Sequence, residues 1–243
     1  HAGDYFDVPG ASPFMQFAAP VRPERARTVP AITHVDGTAR LQTVGPDDDP
    51  LLRALLAGRT AAINLVGILH GSRGQPYGAE FRRAHVDLPR RIVEACAVMG
   101  VERYLHMSAL GANIEGPSMY QRSKADGELA ARSHPDVAAT IFRPSVVFGP
   151  GDHFLTVFAR LQRHLPVVPL AGAAAVFQPV YVGDVATAFL HALRDDHTRH
   201  QVYQLGGPNI YTLAELVRLA GFEKVTQRID DFGIFTVSLA RRT

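Results

Sequence analysis

Residues 60–69 read TAAINLVGIL, a continuous apolar run with no period of two. Such a run fits a strand covered on both faces, as in a parallel sheet between helix layers. The next segment, EFRRAHVDLPRRIVEACAVMG, places Val86, Ile92, Val93 and Ala97 at helical spacing and stops at Gly100. Pro89 inside it removes a backbone donor and costs about 3 kcal/mol in a helix interior, so this helix is expected to bend or to start late. VERYLHMSAL reads as a second buried strand, YQRSKADGELAARS as a helix, VAATIFRPSVVFG as a third strand and HFLTVFARLQRHL as a helix with Phe154, Phe158 and Leu161 in the core. FQPVYV, VGDVATAFLHALRD, VYQLGG and TLAELVRLAG continue the alternation, with Asp184 and Thr212 expected as helix caps. Strands alternating with helices predict an α/β fold with a parallel sheet and right-handed crossovers.

The flanks differ. Residues 1–57 are rich in Pro, Gly and Asp and hold the β-like runs FMQFAAPV and AITHVDGTARLQTV, the second reading as a hairpin or bulged ribbon with a bend at Gly37. DDDPLLRALLAG then reads as a short helix, with Asp47 to Asp49 at its start, Pro50 in the first turn and Gly58 as its stop. Residues 222–243 contain the strand-like IFTVSLA. The expected organisation is an N-terminal segment 1–57, a body 58–221 and a tail 222–243.

A net charge of +2 with interspersed signs predicts no nucleic-acid partner. The longest apolar run falls short of the roughly 20 residues of a membrane span. HAGDYFDVPG lacks the charged-then-apolar pattern of a signal peptide. The single cysteine, Cys96, excludes an intrachain disulfide and leads us to expect a reducing, cytoplasmic setting. It reads as a buried small side chain rather than a nucleophile. His191, His197 and His200 are too loosely spaced for a metal site, so none is expected.

SMYQRSK at 118–124 places Tyr120 and Lys124 one helical turn apart, on one face. A free phenol ionises near pH 10 and is a poor base; a neighbouring ammonium favours the phenolate. Ser108 follows the second buried strand, and reactive groups gather at the carboxyl ends of strands in open parallel sheets. The set suits hydride transfer at a carbonyl or alcohol. Ser108 would hold the oxygen, Tyr120 would pass the proton, and Lys124 would tune Tyr120 and bind a cofactor ribose. The spacing Y-x-x-x-K alone is also that of a solvated helix face.

RYLHMSALGA, YQRSKADGE, TIFRPSVVFGPGDHF and FQPVYVGDVA, in that order, resemble the short-chain dehydrogenase/reductase superfamily. NLVGILHG, HVDLPRRIVEA and VYQLGGPNIYTLAELVRLAG are similar to its atypical branch, which is related to the nucleotide-binding accessory subunit of respiratory complex I and to NAD-dependent epimerases/dehydratases. The resemblance covers about 58–221. It implies Ser108, Tyr120 and Lys124 as the catalytic set. It implies Asn64 and Gly67 beside the adenosine half of NAD(P), and Met107, Pro144 and Val147 around the nicotinamide end, with Tyr120 and Lys124 also touching cofactor. Members of this branch often bind NADPH without known turnover, and many lack the Tyr or the Lys; this chain retains both.

The family pattern opens with a strand, a Gly-rich turn and a helix whose amides hold the pyrophosphate. Residues 1–57 do not read as that unit. The expected fold is therefore a partial Rossmann-like doubly wound parallel sheet lacking its first βαβ unit, with an N-terminal β-rich segment. Binding of NAD(P) is expected to be weak or absent. Gly67, Gly71 and Gly74 in GILHGSRG could form a phosphate cradle, or simply a loop after a strand. One edge of the strand at 60–69 is expected to need cover, with residues 12–44 available for it, and an uncovered edge could support oligomers.

SPFMQFAAPVRPERARTVPAITHVDGTARLQTV resembles the C-terminal region of carbamoyltransferases that modify antibiotics and Nod factors. That resemblance implies Asp36 and Arg40 as polar ligands of an anionic or adenylate group. The nucleotide-binding core of that family is absent from this stretch, and the chain reads as a junction of two families near residue 57. Four functions follow, in order: an impaired NAD(P)-dependent reductase of a small carbonyl or alcohol, a non-catalytic binding or assembly module, an inactive chimera and a carbamoyltransferase fragment.

Overall fold

The computed structural model describes the backbone of residues 29–35, 38–44, 49–150, 167–171, 174–219, 222–229 and 236–242, and the side chains of 49–150 and 174–219. In chain order the elements are β1 (Val29–Val35), β2 (Thr38–Val44), α1 (Asp49–Leu56), β3 (Ala61–Asn64), α2 (Ala79–Arg82), a π turn (Arg83–Asp87), α3 (Leu88–Met99), β4 (Arg103–Met107), α4 (Met119–Ala131), β5 (Ala138–Pro144), β6 (Val147–Phe148), β7 (Val167–Ala171), β8 (Val176–Phe177), β9 (Val180–Tyr181), α5 (Val182–Arg194), β10 (Val202–Leu205), β11 (Tyr211–Thr212), α6 (Leu213–Leu219), β12 (Phe222–Ile229) and β13 (Thr236–Arg242). Residues 153–165, expected as a helix with Phe154, Phe158 and Leu161 in the core, lie outside the described residues, as does FMQFAAPV. Two compact units are present: residues 1–143 with 189–203, and residues 144–188 with 204–243.

The first unit is built on a sheet of order β10-β5-β4-β3, with β3, β4 and β5 parallel. Tyr104, Leu105, Ala139 and Ile141 are fully buried from both sides, as the apolar runs at β4 and β5 predict. Against Tyr104, Ala139 and Ile141 pack Val93 and Cys96 of α3, Ala131 of α4 and Leu52, Leu55 and Leu56 of α1. The Cys96 thiol, wholly buried, is pushed up to about 12 by burial, which suits a packing role. At the amino end of β4, buried Arg103 donates to the carbonyls of Ala138 and Ala192 and to Thr198 Oγ1.

β3 departs from expectation. The apolar run ends as a strand at Asn64, because the Asn64 side-chain oxygen accepts the amide of Val66 and turns the chain. Nor is β3 buried on both faces: Ala62 and Asn64 point inward, whereas Ile63, Leu65 and Leu69 are exposed. β3 is an edge of its sheet, and the hairpin β1–β2 pairs only with itself among the described residues, so it does not extend the sheet as expected of residues 12–44.

Pro89 has the predicted effect. Helical backbone runs through Ala79–Met99, but the turn before the proline widens into the π turn, and α3 carries Pro89 in its first turn. Gly100 adopts the left-handed conformation, φ 72°, that closes the helix.

In the second unit β6 pairs parallel with β9, β8 antiparallel with β11, and β13 antiparallel with both β12 and β7. The tail beyond residue 221 thus supplies strands to that sheet. Thr212 and Glu215 form a reciprocal cap at the start of α6. Asp184 differs from expectation: α5 starts at Val182, so Asp184 sits in the first turn, where its charge meets the helix dipole, rather than at the cap.

Candidate functional site

α4 starts sharply because Ser118 and Gln121 cap it reciprocally. Its site-facing residues recur at one-turn spacing: Tyr120, Lys124 and then Glu128. Lys124 is buried, and its Nζ donates to the Met107 carbonyl (3.2 Å) at the carboxyl end of β4. The same Nζ lies 5.9 Å from the centre of the half-buried Tyr120 ring. Gly67 lets the loop after β3 close on this lysine; a Cβ there would stand 3.0 Å from Nζ. Asn64, Gly67, Met107, Ser108, Tyr120 and Lys124 are therefore gathered around the carboxyl ends of β3 and β4. Pro144, the last residue of β5, and Val147, in β6, belong to the second unit and are described there.

The electrostatics differ from the sequence-based expectation. Burial pushes the Tyr120 phenol up to about 12. Burial lowers Lys124 to about 8, with Glu128 opposing. Desolvation thus acts on both groups, raising the phenol and lowering the ammonium.

Ser108 is also placed differently from its expected role. The residue is 3 % exposed, and its hydroxyl donates to Glu128 Oε1 over 2.5 Å. Glu128 is buried on α4 and receives Arg143 Nε (2.7 Å) and Nη2 (2.6 Å), with Arg132 at 4.0 Å. Glu128, so paired, accepts the serine proton, which is then not free for a ligand oxygen.

Asn64 is likewise engaged within the protein: its oxygen holds the Val66 amide and its Nδ2 lies 3.2 Å from His106 Nδ1. His106 is buried and held down to about 3, by desolvation first and Lys124 second. The glycine-rich stretch after β3 folds on itself. The amide of Ile68 goes to His85 and that of Ser72 to Glu80, and a Cβ at Gly78 would strike the Ser72 carbonyl. The amides of Ile68 and Ser72 are thus spent within the protein, which fits a loop after a strand. Beside it, Arg73, Gly74, Gln75, Met119 and Arg122 line an open cleft of about 450 Å³.

Sequence reasoning missed His85, Ser123, Glu128 and Arg143. The signal for Glu128 was present, since it continues the 120–124 spacing by one more turn; nothing marked the others. Among the described residues no cluster of His, Cys, Asp or Glu could hold a metal ion, and no helix is long and apolar enough to cross a membrane. Arg40 faces Thr33 across the β1–β2 hairpin, and Asp36 lies outside the described residues.

Comparison with known proteins agrees with these features. The carbamoyltransferase C-terminus family model matches residues 1–77, past the junction expected at 57. The 3-beta hydroxysteroid dehydrogenase/isomerase family matches residues 117–212, and a methyltransferase family model matches 209–242. NADH dehydrogenase [ubiquinone] 1 alpha subcomplex subunit 9, mitochondrial, is 34% identical in Arabidopsis thaliana (72% of this chain, 43% of the relative) and 37% identical in Mus musculus (70% and 44%). The chain thus spans less than half the length of these relatives. A dTDP-glucose 4,6-dehydratase from Streptomyces venezuelae, solved with NAD and DAU bound, superposes with a TM-score of 0.65 at 22% identity, over 72% of this chain and 60% of that one. The chain is a mosaic in its resemblances, joining a carbamoyltransferase-like start to a partial Rossmann-like α/β body that shares its fold with a dTDP-glucose 4,6-dehydratase and is similar in sequence to a mitochondrial NADH dehydrogenase subunit.

Proposed function

We propose that the body of this protein is a dinucleotide-binding module of the atypical short-chain dehydrogenase/reductase type whose proton relay is idle, and that it serves in binding or assembly. The observation that carries this reading is the fixed Ser108–Glu128–Arg143 knot, which consumes the hydroxyl proton a carbonyl oxygen would need. The relatives named as complex I subunits support a role among protein partners. The single cysteine supports a reducing, cytoplasmic setting. Binding of NAD(P) is weak in this reading. Each charge-assisted hydrogen bond missing from a pyrophosphate cradle forfeits roughly 1.5–3 kcal/mol.

A second reading, NAD(P)-dependent reduction of a small carbonyl, is favoured by the placement of Tyr120 beside Lys124. A phenol held protonated is suited to give a proton to a carbonyl and unsuited to take one from an alcohol. Fluorescence titration with NADPH, followed by a turnover assay on simple aldehydes and ketones, separates the two. The idle module binds NADPH no tighter than micromolar and shows no oxidation of it above buffer. Turnover that disappears in Tyr120→Phe would overturn the idle reading in favour of the reductase.

A further inference from the structure

Pro89 has no N–H to offer, and in a regular helix its ring would meet the carbonyl of His85, four residues back. The chain instead forms the π turn at Arg83–Asp87, and π turns of this kind recur at functional sites. His85 lies inside that turn, 1 % exposed, with both ring nitrogens engaged. Nε2 accepts the Ile68 amide (3.0 Å), in the loop after β3. Nδ1 must then carry the proton of the neutral ring, and it donates to Ser123 Oγ (2.8 Å) on α4. Ser123 passes its own hydrogen to the Tyr120 carbonyl (2.9 Å). The imidazole also meets the Tyr120 ring edge-on at 5.6 Å. α4 comes this close because residue 127 is glycine: a Cβ there would lie 2.1 Å from the His85 carbonyl oxygen. Holding Ile68 in turn holds Gly67 against the Lys124 ammonium.

We propose that His85 is a positioning residue: with Ser123 it latches the loop carrying Gly67 onto the helix carrying Tyr120 and Lys124, and so sets how enclosed the Lys124 ammonium is. This deepens the reading above and rests on it only for the use made of Lys124. The titratable groups around that ammonium are Tyr120 and Glu128 on its own helix, His85 from the π turn and His106 from β4.

Two substitutions divide the latch. Gln in place of His85 keeps an acceptor near Nε2; Asn keeps a polar group only near Nδ1. Hydrogen exchange at the Ile68 amide and acetylation of Lys124, both followed by mass spectrometry, read the result on the whole chain. His85→Gln should exchange Ile68 within about twofold of the parent, whereas His85→Asn should raise it about tenfold and raise Lys124 acetylation severalfold. Ser123→Ala, which deletes one oxygen, serves should His85→Asn fail to fold, and should raise Ile68 exchange severalfold. Equal exchange in His85→Gln and His85→Asn, or parental exchange in Ser123→Ala, overturns the latch. Neither measurement needs a dinucleotide, so failure of the latch and failure of NADPH binding are separate results.

Discussion

Glu128 shows how a single buried carboxylate can decide what its neighbours do. With Arg143 on both oxygens and Ser108 on one, it is satisfied only as a set. Removing it in Glu128→Ala leaves Arg143 unpaired and should cost about 3–5 kcal/mol, measured by urea unfolding. Ser108→Ala should cost only about 1 kcal/mol by the same measurement. Lys124 makes a pH prediction. Its folded value, about 8, lies below the ordinary 10.5. Below about pH 8 both states carry the proton and the burial cost, on the order of 3 kcal/mol, is felt in full. Between those two values the unfolded chain binds more protons than the folded one, so stability should rise with pH, and Lys124→Met should flatten that rise in thermal melts. His85 and His106 act at the other end. Their folded values, about 2 and about 3, lie below 6.5, so stability should fall as acid is added below about pH 6.5. The Tyr120–Lys124 pair was legible in the sequence because one-turn spacing is a local property. The use of the Ser108 proton was not, because it depends on Arg143, fifteen residues beyond Glu128 and on another element.

At the scale of elements, two features with opposite legibility meet on α4. The effect of Pro89 could be read from the chain, since a missing donor and a ring clash are intrinsic to proline. The need for glycine at 127 could not, because it arises from the close approach of two segments forty-two residues apart, at His85 and Gly127. Gly127→Ala, benign in an isolated helix, should here push α4 from the π turn and cost several kcal/mol, on the order of an overpacked core, with loss of Ile68 protection as the local sign. β3 carries a similar lesson. Hydrophobicity promised a strand through residue 69, but one side-chain oxygen on Asn64 captured the Val66 amide and ended it. α4, delimited by its Ser118–Gln121 cap, and α5, with an apolar face, matched their predicted spans closely, whereas the boundary of β3 was set by a hydrogen bond that hydropathy does not encode.

At the scale of the molecule, the alternation of strands and helices was enough to give the α/β class and the parallel β3–β4–β5 core. It was not enough to place the first fifty residues, whose hairpin closes on itself. β3 presents Ile63 to solvent on a sheet edge, a geometry that invites pairing with another chain. Self-association should therefore grow with concentration in light scattering, and Ile63→Lys should suppress it; a strictly monomeric parent protein would remove the sheet edge from consideration as a contact.

Arg103 has a mechanical consequence. One guanidinium ties the foot of β4 to the start of β5, to the last turns of α5 and to Thr198. β4 and β5 are thus riveted at their feet by Arg103 and at their tips by the Ser108–Glu128–Arg143 set. A sheet clamped at both ends of its central strand should breathe little there, so a visiting molecule would meet a seat already set rather than one that gathers around it.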